Sequence, residues 1–466
     1  MPLRLVPLAL AAWLGTSPPV PESPSRPAIP GSYPSGPVSP SPDVPAELVA
    51  RRNALSLGDV IDVALRNDPA TRGAWHRARE AAADAASRAW VYFPVVGVAV
   101  DAVRARSAGF GGRFSNVGTT WGPALTVDWI LLDFGERSGD VEAGRREAIA
   151  RVWEHGDAVQ RSILRATEAY YDYLDAKAQL EAARTGENEA RTFLEAAERR
   201  RDAGVATIAD VLLARTAYSQ ATLDRLSVEG RIGSLRGGLA TAMGLPVSVS
   251  FDALPLPDEI PVETAVRDVE ALLEEATSRR PDLAAARESW LAAQAEVRRA
   301  RGEGLPRLSF SGSAGRDWYD PDTFGDSADV WSAALRLHIP VFTGYRNTYD
   351  VAKAKETVAV AAEDARALEQ AVVLEVWTAF YELETAGQRV VTSRDLLASA
   401  EASEEVALGR YREGVGNLLD LLAAQGALAR ARAQEITARV DWLVARARLA
   451  AATGTLAPPA SPGGSP

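Results

Sequence analysis

Two apolar rhythms run along the chain, and each occurs twice. Long stretches rich in Ala, Glu and Arg carry apolar residues at helical spacing, while four short stretches alternate apolar and polar residues one for one. The spacing predicts a first helix over Ser56–Ala89 and its counterpart over Val269–Arg301. After each comes a turn at Pro94 or Pro306, two alternating segments, and a turn at Gly135 or Gly344 into a very long helical stretch. That stretch breaks at Gly204 or Gly414 and resumes to Gly244 or Gly454. Gly and Pro thus stand at expected helix ends, where capping chemistry favours them.

The alternating segments predict strands at about 92–104, 120–132, 306–318 and 329–341. Trp331, Ala333, Leu335, Leu337 and Ile339 fall on one face, and Ser332, Ala334, Arg336 and His338 on the other. Leu125, Val127 and Trp129 alternate with Thr126 and Asp128 in the same way. A period of two with one polar face describes a half-buried strand. Segments of about nine to eleven residues are long enough to cross a membrane as tilted strands. Asp128 and Arg336 belong beside water, which makes Leu125, Val127, Trp129, Trp331, Leu335 and Leu337 the candidate lipid-facing set. The alternative is a soluble sheet covered by helices. Four membrane strands do not close a barrel, since open edges are not tolerated in lipid and the smallest bacterial barrels use about eight. Several copies would therefore share one barrel.

The stretch from Glu136 to Arg201 is almost free of Pro and would reach roughly 100 Å as a helix. In its counterpart, Val351, Val358, Ala365 and Val372 recur every seventh residue, as do Val376, Leu383, Val390 and Leu397. A heptad seam of this kind marks coiled-coil packing. Aligned on itself, the chain also pairs Asp68-Pro69 with Arg280-Pro281, Ala169-Tyr170-Tyr171 with Ala379-Phe380-Tyr381, and Gly204-Val205 with Gly414-Val415. Such matches in register are the mark of a duplication. The repeats are assigned to 51–245 and 263–456, with a Pro-rich linker at 246–262.

Residues 1–17 combine Arg4, a short apolar run and small residues, the pattern of an export signal. Residues 18–50 are dense in Pro, Ser and Gly and read as a flexible tether, and 457–466 as a disordered tail. Composition narrows the function further. None of the 466 residues is Cys. That removes disulfides, thiolate chemistry, Cys metal sites and the acylation that makes a lipoprotein. With 51 Lys and Arg against 62 Asp and Glu, the net charge is −11, which argues against nucleic acid as a partner. His76, His155 and His338 are scattered, and no HExxH, Walker loop or GxSxG occurs. No enzyme, cofactor or resident metal is expected.

The two helix–strand–strand–long helix–helix units, with tip motifs Gly204-Val205…Asp210-Val211-Leu212 and Gly414-Val415…Asp420-Leu421-Leu422, resemble TolC-like outer-membrane efflux proteins over roughly residues 55–456. The resemblance implies a mainly α fold with a membrane β-barrel portion: a homotrimer whose twelve strands form an outer-membrane barrel continuous with a periplasmic α-helical barrel. It implies a passive conduit in the outer membrane, reached through a periplasmic adaptor from an inner-membrane pump of the resistance–nodulation–division, ABC or major-facilitator type. It places Asp420 at the periplasmic constriction, with Asp210 as its repeat partner and Tyr411 as an aromatic of the closed tip. Gly204, Val205, Gly414 and Val415 become the adaptor-docking tips. Asp210 and Asp420 are equally suited to the first turn of a helix, where an acid complements the dipole, and the two roles coexist. Family members carry an arginine two residues after the second tip glycine, where it latches the closed state. Here that residue is Gly416, which leaves Arg412 and Arg215 as candidates for the role. The competing reading is a periplasmic coiled-coil adaptor or structural protein that never inserts.

Overall fold

The computed structural model describes residues 52–109, 114–257, 260, 268–320 and 327–456. The expected signal, tether and tail lie outside these residues, as do part of the linker and the loops between paired strands. In chain order the helices are α1 (Leu57–Asn67), α2 (Pro69–Ala89), α3 (Glu136–Asp202), α4 (Ile208–Ala242), α5 (Val269–Arg279), α6 (Pro281–Glu303), α7 (Arg346–Arg412) and α8 (Leu418–Ala452). The strands are β1 (Val95–Gly109), β2 (Phe114–Leu132), β3 (Arg307–Asp320) and β4 (Ser327–His338).

The single long helix expected at the start of each repeat is two helices. Asp68 and Arg280 are extended, with ψ of 116° and 124°, and each precedes a proline that opens the next helix. Proline crowds the residue before it out of the helical region, yet fits the first helical turn, where no N–H is needed. Asp68 turns the break into a cap, accepting from the Ala70 N–H at 3.0 Å.

The strands form one antiparallel sheet in the order β1-β2-β3-β4. They are longer than expected, at 15, 19, 14 and 12 residues. The first begins at Val95 and not near 92, because Trp90–Tyr92 form a 3-10 turn and Pro94 follows. The last ends at His338, two residues before Pro340, which has no N–H for a ladder. A register shift between Ile130 and Leu132 marks where β2 prepares to leave the sheet.

From the sheet the chain enters α3 and α7, each of 67 residues, or about 100 Å at the usual rise. Helix α3 packs on α1, α2, α4, α6 and α8, and α7 packs on α5, α6 and α8. Apolar burial comes in separate clusters along these helices. One gathers Val60, Ile163, Leu174, Leu239 and Trp442; another gathers Leu272, Ala276, Val372 and Val376. The heptad positions Val372, Val376 and Val390 are buried, and Val351, Val358 and Ala365 are half-buried. The linker contributes to the first cluster through Phe251 and Ile260. Lys177 and Tyr173 on α3 both donate to Asp252, at 2.8 and 3.1 Å, and Leu55 bridges to Ala253. Where α3 meets α6 the backbones nearly touch: a Cβ on Gly139 would lie 2.4 Å from the Arg299 nitrogen. Among the described residues no helix is long and apolar enough to cross a membrane.

Candidate functional site: a two-faced sheet and paired helix tips

Directly opposed residues of an antiparallel pair share a face. The register Val98↔Leu125, Leu125↔Ala314 and Ala314↔Trp331 therefore puts all four on one side of the sheet. Val96, Val127, Gly312 and Ala333 line up on the same side, followed by Trp129, Phe310 and Leu335. The six candidate lipid-facing residues thus occupy one face, which also carries Arg104, Arg106 and the Arg316–Asp329 ion pair toward the loop ends of the strands. Trp331 is 80% exposed, Leu335 69% and Leu125 48%, while Val127 is half-buried. Eight residues separate Trp129 from Trp121, or about 27 Å along the strand. Trp121 closes the band by stacking on Trp318 at 4.7 Å, and beyond the Trp129 end Trp90, Phe93, Phe134 and Phe342 stand exposed. The opposite face carries Thr126, Asp128, Ser311, Ser313, Ser332, Arg336 and His338, with the Ser313 and Ser332 hydroxyls 2.9 Å apart.

The exit from the sheet is held by a residue that sequence reasoning passed over. Arg137, buried at the start of α3, donates to the Asp133 carboxylate at 2.8 Å and to the Ile130 carbonyl at 2.7 Å. Its guanidinium lies 5.1 Å from the centre of the Tyr92 ring. One cation thereby ties the end of β2, the turn before β1 and the first turn of α3. The run Asp133-Phe-Gly-Glu-Arg137 could have signalled an i, i+4 ion pair, but nothing local announced the carbonyls.

At the far ends of α3 and α7 the tips come together. Ala197, Val211 and Ala214 of the first repeat pack with Leu418 of the second, and Leu194, Tyr411 and Leu422 border them. Gly204 and Gly414 adopt φ of +77° and +76°, the left-handed conformation that lets each helix stop and turn. The Val205 N–H then reaches the Arg200 carbonyl at 2.9 Å, and Val415 reaches Arg410 at 3.0 Å. Val205, Ile208, Val415 and Leu419 are left exposed on the turns.

Asp210 and Asp420 both occupy the first turn of the following helix. Asp210 completes a capping box: its N–H donates to Thr207 Oγ1 at 3.2 Å and its carboxylate accepts from the Thr207 N–H at 2.8 Å. Those bonds from Thr207 hold its carboxyl below the usual range. Asp420 donates its N–H to Asn417 Oδ1 at 2.7 Å, and its exposed carboxylate is not engaged in return.

Neither candidate for the missing arginine joins the repeats. Arg215 bonds Glu198 at 3.1 Å within its own hairpin, and Arg412 is exposed. The crossing residue is Arg200, whose guanidinium lies 4.7 Å from the Tyr411 ring centre and donates to the Tyr411 carbonyl at 3.4 Å. Tyr411 is thus half-buried between repeats. Gly416 is itself constrained, since a Cβ there would come within 3.0 Å of the Arg410 Cβ. Midway along the helices, a groove of about 660 Å³ beside α7 and α8 is lined by charged as well as aromatic groups, among them Asp172, Trp377, Arg389 and Asp441. Burial pushes the Asp172 and Asp441 carboxyls up.

A sheet with one apolar face, continuous with two very long helices that turn at shared tips, is the arrangement to compare with known proteins. The sequence family described as outer membrane efflux protein matches residues 60–245 and 272–455, one stretch in each repeat. The chain belongs to this family. It is similar to Protein CyaE of Bordetella pertussis, with 29% identity covering 95% of this chain and 90% of that one. It is also similar to the toluene efflux pump outer membrane protein TtgF of Pseudomonas putida, with 26% identity covering 71% and 68%. Among solved structures, the outer membrane protein VceC of Vibrio cholerae superposes with a TM-score of 0.74 at 20% identity, covering 85% of this chain and 96% of that one. This protein is an outer membrane efflux protein. The reading as a periplasmic adaptor that never inserts is set aside by the family match.

Proposed function

We propose that three copies of this chain share one twelve-stranded outer-membrane barrel, and that the long helices prolong it into the periplasm as a passive conduit. The observation that carries this reading is the sheet: one face mostly apolar and exposed, with its charges confined to the loop ends, the other polar, and β1 and β4 each paired on one side only among the described strands. In lipid such a sheet is stable only if closed. Leu125, Val127, Trp129, Trp331, Leu335 and Leu337 would then face lipid, and Asp128, Arg336 and His338 the water-filled interior.

The chain does no work on its cargo; energy enters at an inner-membrane pump of the resistance–nodulation–division, ABC or major-facilitator type. The exposed apolar tips at Gly204-Val205 and Gly414-Val415 would receive the periplasmic adaptor. Three copies would place Asp420 and Asp210 in carboxylate rings near the tips, beside Tyr411, where a narrow passage concentrates their field. Asp420 is the stronger candidate because its carboxylate is not consumed by a cap. Single-channel recording in planar bilayers tests this: discrete conductance with divalent-cation block is expected, and the block weakens in Asp420→Asn more than in Asp210→Asn. Absence of conductance would overturn the conduit, and unchanged block in Asp420→Asn would overturn the ring.

A further inference from the structure

The internal duplication extends to strand register, and this fixes how neighbouring copies would meet. In the sheet, Trp121, Leu125 and Val127 of β2 correspond to Trp331, Leu335 and Leu337 of β4. Val96, Val98 and Val100 of β1 correspond to Leu308, Phe310 and Gly312 of β3. With these equivalences, the β1–β2 pairs Val96↔Val127 and Val98↔Leu125 become Leu308↔Leu337 and Phe310↔Leu335, and both are the observed β3–β4 pairs. The repeat therefore conserves pairing residue for residue.

Among the described strands only the β2–β3 ladder has no counterpart, because its equivalents are the two edges β4 and β1. We infer that β4 of one copy pairs antiparallel with β1 of the next in the register of β2–β3, setting Arg336 opposite Asp101. The inference rests on the shared-barrel reading. Val127↔Gly312 becomes Leu337 opposite Val100, and Leu125↔Ala314 becomes Leu335 opposite Ala102. On the apolar face Leu337 and Leu335 thus meet Val100 and Ala102, while Ala333 and Trp331 fall opposite Arg104 and Arg106 toward the loop end. On the polar face Thr126↔Ser313 becomes Arg336 opposite Asp101. Both side chains are exposed, and neither forms a hydrogen bond or ion pair among the described residues. A junction of neutral hydroxyls inside the chain is thus replaced by opposite charges between chains. Shifting the register by two residues would set Arg336 against Ala99 or Val103 and leave it with no carboxylate opposite. The alternation keeps the faces aligned in either case, so the ion pair is what selects among even registers.

The test uses the natural absence of cysteine. Three double variants are oxidised in outer membranes and run on denaturing, non-reducing gels: Arg336→Cys with Asp101→Cys, with Ala99→Cys, and with Val103→Cys. A reducible covalent trimer is expected from the first pair, at least tenfold above the other two. Preferential linkage through Ala99 or Val103 would overturn the register and leave the shared barrel standing. Linkage in none, with a trimeric mass, would overturn the β4–β1 junction. Linkage in none, with a monomeric mass, would overturn the shared barrel itself. Should the cysteine variants fail to assemble, charge reversal tests the same pairing. Arg336→Asp and Asp101→Arg should each lower the temperature at which oligomers dissociate, and their combination should restore it. A double variant no better than the singles would overturn the pairing.

Discussion

The two repeats share one architecture but finish it differently. At the first strand-to-helix junction, Arg137 is buried against Asp133 and backbone carbonyls. Its counterpart Arg346 is exposed and meets Glu303 at the surface at 2.7 Å. Around it Val341, Phe342, Tyr345 and Tyr349 are all exposed, whereas the first junction packs on α6 of the second repeat. The tips differ in the same sense, one closed by a Thr207–Asp210 box and the other leaving Asp420 unengaged. The first repeat is completed by the rest of its own chain, and the second presents a surface that another copy would cover. Duplication supplies the frame, and divergence buries one junction and leaves the other exposed.

The largest expected contrast lies at the junctions. Arg137→Ala strands the Asp133 carboxylate and several carbonyls in a buried site, which costs about 3–5 kcal/mol. Arg346→Ala removes a surface pair worth at most about 1 kcal/mol. Thermal unfolding of the detergent-solubilised proteins should show the first variant far less stable; equal losses would break the contrast. Next comes the close approach of α3 to α6. Gly139→Val drives a side chain into the Arg299 backbone and is expected to cost about 1–3 kcal/mol or more. Thr348→Val, at the matching place on α7, should be nearly neutral in the same assay.

Smaller effects belong to the tips. Thr207→Ala removes the first cap, worth about 1 kcal/mol, and Asn417→Ala removes the second at a similar cost. Amide exchange should rise at the start of α4 in one variant and of α8 in the other. The gentlest probe is acid. Because the folded-state pKa of Asp210 is lowered, its stabilisation is full above the ordinary carboxylate value of about 3.9 and is lost as pH falls through the folded value. Protection from exchange at the start of α4, relative to the intrinsic rate at each pH, should therefore fall below about pH 4. The Asn417 cap does not titrate, so an equal fall at α8 would show that the box is not the cause.

How much of this was legible in the sequence depends on the range of each interaction. The duplication, the long helices, the strand alternation and the tip glycines are local patterns, and all recur in the structure. The helix breaks at Pro69 and Pro281 were available in principle, since a residue before proline avoids the helix, but the repeated Ala-rich pattern on both sides masked them. Arg137 and Arg200 were out of reach for another reason. Their partners are main-chain carbonyls and a ring 211 positions away in the case of Tyr411, and a sequence shows neither. The same limit explains the aspartates: a first-turn acid is readable, but the engagement of Asp210 and the freedom of Asp420 follow from whether residue 207 or 417 accepts and donates at once.

The central claim is that single chains cannot close the membrane sheet and that three do. The most direct test is the intact mass of the species extracted from outer membranes in mild detergent. The account predicts recovery from that fraction with the mass of three chains. Recovery as a monomer, or in the soluble periplasmic fraction, would contradict it.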